Sequence, residues 1–501
     1  MTILTIARLV RSQLCSWKVS MMSSRLPDRD AVLLPEAATV LAGTDDSMAL
    51  IRQRRPRTIH RAAALLAIAT LLQAGTLRAE PPVQLTLHDC VSETLAANHA
   101  LLARSAERDA ARARAEGSRA ARLPRLFMQG AAQYTTDPYR LEPATANNQP
   151  GIFTRDTWQT SAGVSVPLYA GGRLVAEQNA TRLLAEAASG DLAIARQRLA
   201  VGVVALYQDG LALRAVIRSL DQSRATLTAQ IERIDALLRQ QKAAEVDRLR
   251  VAVRLARVEQ NAVEARSRLE TTKTTLAVLM GHEPSAAWKL ADDLITPDVP
   301  QLSTTGYVSM RADEAAAQAR VASASEQVRA ARAGWLPGVD AIAAYGSRAD
   351  IDGSEAYGSG LAGLALTWNI HDFGRTEARV AESHAILRAR EEAAVETSLQ
   401  RRLELANADA GVRSAVARIE ASRMAVEQAR ESLRIEQKKY EFGHGTATDV
   451  LDAQAATDEA ESLRARALAD YAIWLAAHDL ATGHVFTSAA ATAVLRADPI
   501  T

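Results

Sequence analysis

The chain repeats itself, and the repeat constrains the fold more than any single motif does. Leu123-Pro124 recurs as Leu336-Pro337, each after an Ala/Arg-rich amphipathic stretch, Ser118-Arg119-Ala120-Ala121-Arg122 and Ala330-Ala331-Arg332-Ala333-Gly334. Further on, Val166-Pro167-Leu168-Tyr169-Ala170-Gly171-Gly172-Arg173 answers to Trp368-Asn369-Ile370-His371-Asp372-Phe373-Gly374-Arg375. Glu245-Val246-Asp247-Arg248-Leu249 answers to Ala447-Thr448-Asp449-Val450-Leu451, and these last two pairs share one offset of 202 residues. The chain of 501 residues thus reads as two halves of about 200 residues joined near Pro284 to Gly306.

Each half switches composition partway. Of the 20 aromatic residues 11 fall in windows 123–173 and 335–375, and so do 12 of the 25 glycines. These windows alternate. Trp158, Thr160, Ala162, Val164, Val166 and Leu168 share one face, with Gln159, Ser161, Gly163 and Ser165 opposite; Gly358, Gly360, Ala362, Leu364, Leu366, Trp368 and Ile370 share another. Period two over about ten residues predicts strands, of a length that spans a bilayer when tilted. Less regular partners are expected at Arg125 to Tyr134 and Val339 to Tyr345, with turn-rich loops at Thr135 to Asp156 and Ser347 to Ala356. That gives two strands per half.

Outside the windows the period becomes helical. No proline occurs between Pro167 and Pro284 or between Pro337 and Pro499. Leu192, Leu199, Leu206, Leu213, Leu220, Leu227 and Ile234 step by sevens, as do Leu405, Val412, Ile419, Val426, Leu433 and Tyr440. Sustained heptads predict supercoiled, packed helices. Gly172 to about Lys242 as one helix would run roughly 100 Å at ~1.5 Å per residue, a length for which a globular core has no use. Each half therefore reads helix, strand, strand, very long helix, tip, return helix. Four strands cannot close a barrel alone, and open edges are not tolerated in lipid. Three copies would supply about twelve strands.

Composition narrows the function. A net charge of +1 gives no field for nucleic acid. The two cysteines, Cys15 and Cys90, form no CxxC or Cys/His cluster, so zinc and redox motifs are absent. Residues 48–79 have the pattern of a secretory signal: Arg52, Arg54, Arg55 and Arg57, an apolar run from Ala62 to Ala74, and Leu77-Arg78-Ala79 before Glu80. The run is too short to span a bilayer, and no other segment approaches 18 consecutive apolar residues. No lipobox precedes Cys90, so no lipid anchor is expected. The expected division is 1–47 as an N-terminal extension or mis-called start, 48–79 as signal peptide, 80–285 as first repeat, 286–305 as linker, 306–486 as second repeat and 487–501 as C-terminal tail.

From about residue 85 to 483 the chain resembles the TolC family of outer-membrane efflux and secretion channels. The resemblance is carried by Leu85-Thr86-Leu87 followed by Cys90-Val91 and Ala97-Asn98, by the Leu-Pro before each strand pair, and by Val166 to Gly172. It is carried also by the tip Lys439-Tyr440-Glu441-Phe442-Gly443 continuing Thr446 to Ala453. It implies a mainly α fold with a small β part: a homotrimer with a 12-stranded β-barrel in the outer membrane and a 12-helix tunnel across the periplasm. It implies docking to a periplasmic adaptor and an inner-membrane ABC or RND transporter, contact with outer-membrane lipid, no nucleic acid, no cofactor, no metal and no catalysis.

Matched residue by residue, Asp449 and Asp452 fall where the family lines its periplasmic aperture, and their i, i+3 spacing puts them on one helix face. The other reading is a solvated acidic helix start. Tyr440 falls on a gate tyrosine with Asp247 as its hydrogen-bond acceptor; the other reading is a core heptad position. Gly445 stands where the family often has an arginine of the gate, with His444 beside it. Gly443 and Gly445 are expected to serve the break between helices. Their first-half counterparts Gln241 and Ala243 are not glycines, so that tip is expected to be more continuous.

Some motif matches fail on context. Gly358-Ser359-Gly360-Leu361-Ala362-Gly363 spells GxGxxG but leads into a strand, and Asp372-Phe373-Gly374 lacks every other kinase element. Two cargo classes stay open: type I secretion of a protein, such as a cyclolysin-type toxin, and drug or metal efflux with an RND-type pump. A periplasmic coiled-coil adaptor is the alternative from another class, but it leaves the paired strands unexplained.

Overall fold

Both long helices begin at a glycine that only a left-handed backbone can turn. Gly172 (φ 83°) and Gly374 (φ 87°) open helices of equal length, Arg173–Arg239 and Arg375–Glu441. The computed structural model describes residues 83–140, 153–242, 244–284, 288–295, 310–350 and 356–483. These lie in one unit, Glu80–Thr501. The expected N-terminal extension, signal peptide and C-terminal tail lie outside the described residues, as do parts of the linker and of both strand-joining loops.

The elements in order are β1 (Val83–Leu85), α1 (Leu87–Ala97), α2 (His99–Ala120), β2 (Arg125–Arg140), β3 (Phe153–Ala170), α3 (Arg173–Arg239), α4 (Glu245–Leu279) and β4 (Trp288–Leu290). The second half follows with α5 (Ala312–Arg332), β5 (Gly338–Asp350), β6 (Ala356–Thr367), α6 (Arg375–Glu441) and α7 (Ala447–Thr482). The first strands of each pair run longer than their alternation suggested, and β6 stops at Thr367, so Trp368 and Ile370 lie beyond it.

The strands β2-β3-β5-β6 form one antiparallel sheet in that order. Register fixes its faces. Leu126 pairs Val164, Val164 pairs Ala343 and Ala343 pairs Ala362, so these residues share a side with Met128, Trp158, Tyr345, Leu364 and Leu366. That side is apolar and open: Leu126 is 81%, Met128 80% and Leu364 71% exposed. The opposite side carries Gln129, Gln133, Gln159, Ser161, Ser165 and Ser359. Aromatic rings of the inner strands lie over glycines of the outer ones, Trp158 near Gly130 and Tyr345 over Gly358 and Gly360. The outer edges of β2 and β6 have no strand partner among the described residues.

The heptads form the helical packing. In α3, Leu220, Leu227 and Ile234 bury against Val251, Val258, Ala262 and Ala265 of α4 and Leu451 of α7. In the second half Val412, Ala415 and Ile419 meet Ala467, Leu468 and Tyr471. One stretch of α3 is apolar enough to cross a membrane by composition. It is partly buried against neighbouring helices, as a core helix is.

The linker is not a bare connection. Trp288–Leu290 pairs in parallel with Val83–Leu85, a second sheet that the four-strand expectation omitted. Three residues are too few to register as alternation; Trp288 and Leu290 hold because they bury against α3 with Val91, Val203 and Tyr207. The Tyr207 hydroxyl donates to Asp292 (2.7 Å), which also accepts from the Leu87 amide (2.8 Å). Cys90 sits fully buried in this core, and burial pushes its thiol up to about 12.

The two halves differ where the short helices start. Asn98 caps α2 by accepting from Ala100 and Leu101. At the same place before α5 stands Arg311, buried, its guanidinium on Asp313 (2.8 Å) and Glu404 (2.5 Å). Arg401 is buried beside it, donating to the carbonyls of Ala481 and Thr482 and pairing with Glu314. Arg311→Ala leaves two carboxylates without their buried partner and is expected to cost about 3 kcal/mol. Arg198→Ala, half exposed on the same carboxylates, is expected to cost under about 1 kcal/mol. Thermal unfolding followed by circular dichroism compares them; equal losses contradict this assignment.

Candidate functional site

The long helices turn back at two tips, and both tips are built alike. After α3 the amide of Lys242 donates to Leu237 and that of Gln241 to Leu238, each at 2.9 Å. After α6 the amide of His444 donates to Lys439 (2.8 Å) and that of Gly443 to Tyr440 (3.1 Å). This is the Schellman closure, which satisfies the last helical carbonyls and needs one left-handed residue. Gly443 supplies it at φ 77° and Gln241 at φ 61°. The expectation of a more continuous first tip is thus corrected: the closing hydrogen bonds outweigh the ~1 kcal/mol that a left-handed Gln costs. Ala243 lies outside the described residues. Gly445 serves differently, since a Cβ there would lie 3.1 Å from Lys439 Cβ and 3.2 Å from the Tyr440 amide nitrogen.

Asp449 works as a capping residue. Its carboxylate accepts from the Thr446 amide (2.9 Å) and hydroxyl (2.7 Å), and the Thr446 hydroxyl accepts from the Asp449 amide. Those hydrogen bonds hold its pKa below the usual carboxylate value. Asp452, one turn on, is exposed and makes no hydrogen bond or ion pair among the described residues. Both carboxylates are therefore solvent-facing, and one also holds the helix start.

Tyr440 and Asp247 are near each other but share no hydrogen bond. Burial, then the Asp247 charge, pushes the tyrosine hydroxyl up. The hydrogen bonds between the two hairpins run elsewhere. Arg250 donates to the Thr448 hydroxyl (3.1 Å) and Arg233 to Glu441 (3.2 Å). Deeper, Asp458 of α7 accepts from Ser223 of α3 and Arg254 of α4, each at 3.0 Å, and from Gln454 at 2.9 Å. Glu461 takes Ser219 (2.5 Å) and Arg430 (2.8 Å). Sequence reading passed over these residues because each is an ordinary polar residue on a helix; only the α3–α7 contact makes them a seam. Burial raises the Asp458 pKa despite its three donors. Among the described residues no His/Cys/Asp/Glu group has a metal-binding arrangement.

Comparison with known proteins comes to one answer. The family model described as outer membrane efflux protein matches residues 90–282 and 309–484. No curated protein matches the chain. Among solved structures, the outer membrane protein VceC from Vibrio cholerae is similar at 21% identity and TM-score 0.69, covering 79% of this chain and 96% of its own. The outer-membrane channel OprN is similar at 21% identity and TM-score 0.67, covering 79% and 90%. The CmeC outer membrane channel of Campylobacter jejuni is similar at 15% identity and TM-score 0.69, covering 83% and 92%. The shared feature is the fold.

The seam has a testable pH dependence. Asp458 and Arg254 side chains are only 10% and 18% exposed. Arg254→Ala removes the charge that holds the Asp458 pKa down, so that pKa climbs further. A carboxyl with a raised folded pKa costs nothing while protonated and destabilises as pH rises through the window between its unfolded and folded values. Arg254→Ala is expected to cost about 3 kcal/mol once Asp458 is charged, and less at about pH 5 than at about pH 8. Thermal melts at the two pH values check it; a pH-independent loss contradicts it.

Proposed function

The chain belongs to the outer membrane efflux protein family, and from that premise we propose that it is the exit duct of a tripartite export system, closed by three copies. Family membership makes it an outer-membrane channel rather than an enzyme, and sets aside the reading as a periplasmic adaptor. The observation that carries the proposal is the sheet: one apolar face, one polar face and two edges unpaired among the described residues. Pairing β6 of one copy with β2 of the next keeps every neighbour antiparallel and leaves no open edge. The apolar face then meets lipid, the polar face lines a lumen, and the long hairpins continue as a periplasmic tunnel.

At the tunnel end the duct meets a periplasmic adaptor and an inner-membrane transporter. For the cargo the first reading is type I secretion of a polypeptide, with an ABC exporter. The second is drug or metal efflux with an RND-type pump, which the family's own description favours. A deletion strain separates them: loss of a secreted polypeptide from the medium supports the first, and gain of drug or metal sensitivity the second.

Asp449 and Asp452 from three copies would gather at one aperture, where close like charges attract cations. In planar bilayers Asp449→Asn with Asp452→Asn is expected to reduce cation selectivity and block by multivalent cations. Unchanged selectivity sinks the aperture. The gate latch that the resemblance put on Tyr440 and Asp247 is better supported at Arg250–Thr448 and Arg233–Glu441, where hydrogen bonds are made. Arg250→Ala with Arg233→Ala is expected to raise closed-state conductance more than Tyr440→Phe does; the reverse order restores the tyrosine latch.

A further inference from the structure

We propose that Phe127 and Leu361 form an apolar contact inside the duct for small amphiphilic cargo, a solute with an apolar ring system and polar margins. The inference rests on the three-copy duct above, in which the polar face of the sheet lines the lumen, and it deepens the efflux reading of the cargo.

One row interrupts the polar face. Phe127 pairs Gly163, Gly163 pairs Ala344 and Ala344 pairs Leu361. No side chain of that row can hydrogen-bond. Residues two apart along a strand share a face, so the neighbouring rows follow from the same register. Toward the loops stand Gln129, Ser161, Gly346 and Ser359. Toward the helices stand Arg125, Ser165, Ile342 and Gly363. At ~3.4 Å per residue, Gln129 and Arg125 lie about 14 Å apart along β2. That interval suits one ring system and not a longer apolar body.

Glycine shapes the row. A Cβ at Gly163 would lie 2.8 Å from Phe127 Cζ and 2.7 Å from Ala344 Cβ. The Phe127 ring therefore lies across β3, half-buried, instead of standing off the sheet. Leu361, on β6, is 58% exposed. Apolar side chains in a water-filled passage cost free energy until something apolar covers them.

The chemistry of the row selects the occupant. Arg125 and Asp340, both exposed on this face, bring opposite charges to its helix side, so the row recognises apolar area and not a sign of charge. Gln129, Ser161 and Ser359 offer hydrogen bonds to the polar margin of the same solute. An extended polypeptide would set backbone amides against the row, which has no side-chain partner for them. Three copies place three Phe127 rings and three Leu361 side chains around one level of the lumen. A solute in transit is held there by its rings and released into polar rows on either side.

Block of single channels of the full-length protein in planar bilayers tests this with two cations of equal charge. Tetraphenylphosphonium carries rings and tetramethylammonium carries none. The first is expected to interrupt the current at concentrations where the second does not. Phe127→Ser with Leu361→Ser is expected to weaken that block about tenfold, and Leu361→Ser alone, at an exposed position, about threefold. Phe127→Trp is expected to keep it. Equal block by the two cations, or block unchanged in the serine variants, overturns the proposal. A block that Asp449→Asn with Asp452→Asn abolishes, while the serine variants leave it intact, belongs to the aperture and overturns it too. Block by an unfolded, ring-free polypeptide that falls by the same factor in the serine variants makes the occupant a polypeptide and overturns the small amphiphile. Absence of any channel from the unaltered chain overturns the three-copy duct itself, and this contact with it.

Discussion

Unpaired backbone amides cannot face hydrocarbon, and this constraint organises the molecule. The four-stranded sheet, apolar on one side, has two outer edges without a strand partner among the described residues. The helices respond to the same need. Each long helix follows a strand of the sheet and starts at a left-handed glycine, Gly172 directly after β3 and Gly374 after the short segment that follows β6. In the proposed duct, closing the edges through sister chains closes the helices too, and the conduit follows from a hydrogen-bonding requirement.

Much of this was legible from periodicity. The alternation from Trp158 to Val166 placed one face correctly, and a bulge between Pro167 and Tyr169 takes Leu168 out of it. The heptads from Leu192 to Ile234 placed the hairpin cores. What escaped was of two kinds. The pairing of Val83–Leu85 with Trp288–Leu290 joins residues distant in sequence through segments too short for a period. The turn at Gln241 showed no sign in residue type, since the left-handed position there holds no glycine; its closure comes from backbone hydrogen bonds that any residue donates.

The candidate site shows the same division. Asp449 could be picked out by position, and its threonine partner Thr446 by the capping spacing. The seam through Arg254, Asp458 and Ser223 could not, because those three residues come from three helices. The repeated halves also differ at matching positions. Asn98 became Arg311 at one helix start, and Gly171 became Phe373 at one turn. Repeat positions that differ between the halves are where each half meets a different environment.

In the proposed duct one chain supplies a third of a barrel. Native mass measurement of the detergent-extracted outer-membrane protein reads this directly. A particle of three copies, stable until heated, is the result expected. A single-copy particle that stays soluble without detergent would mean that the strand edges are satisfied within one chain, and would contradict the account.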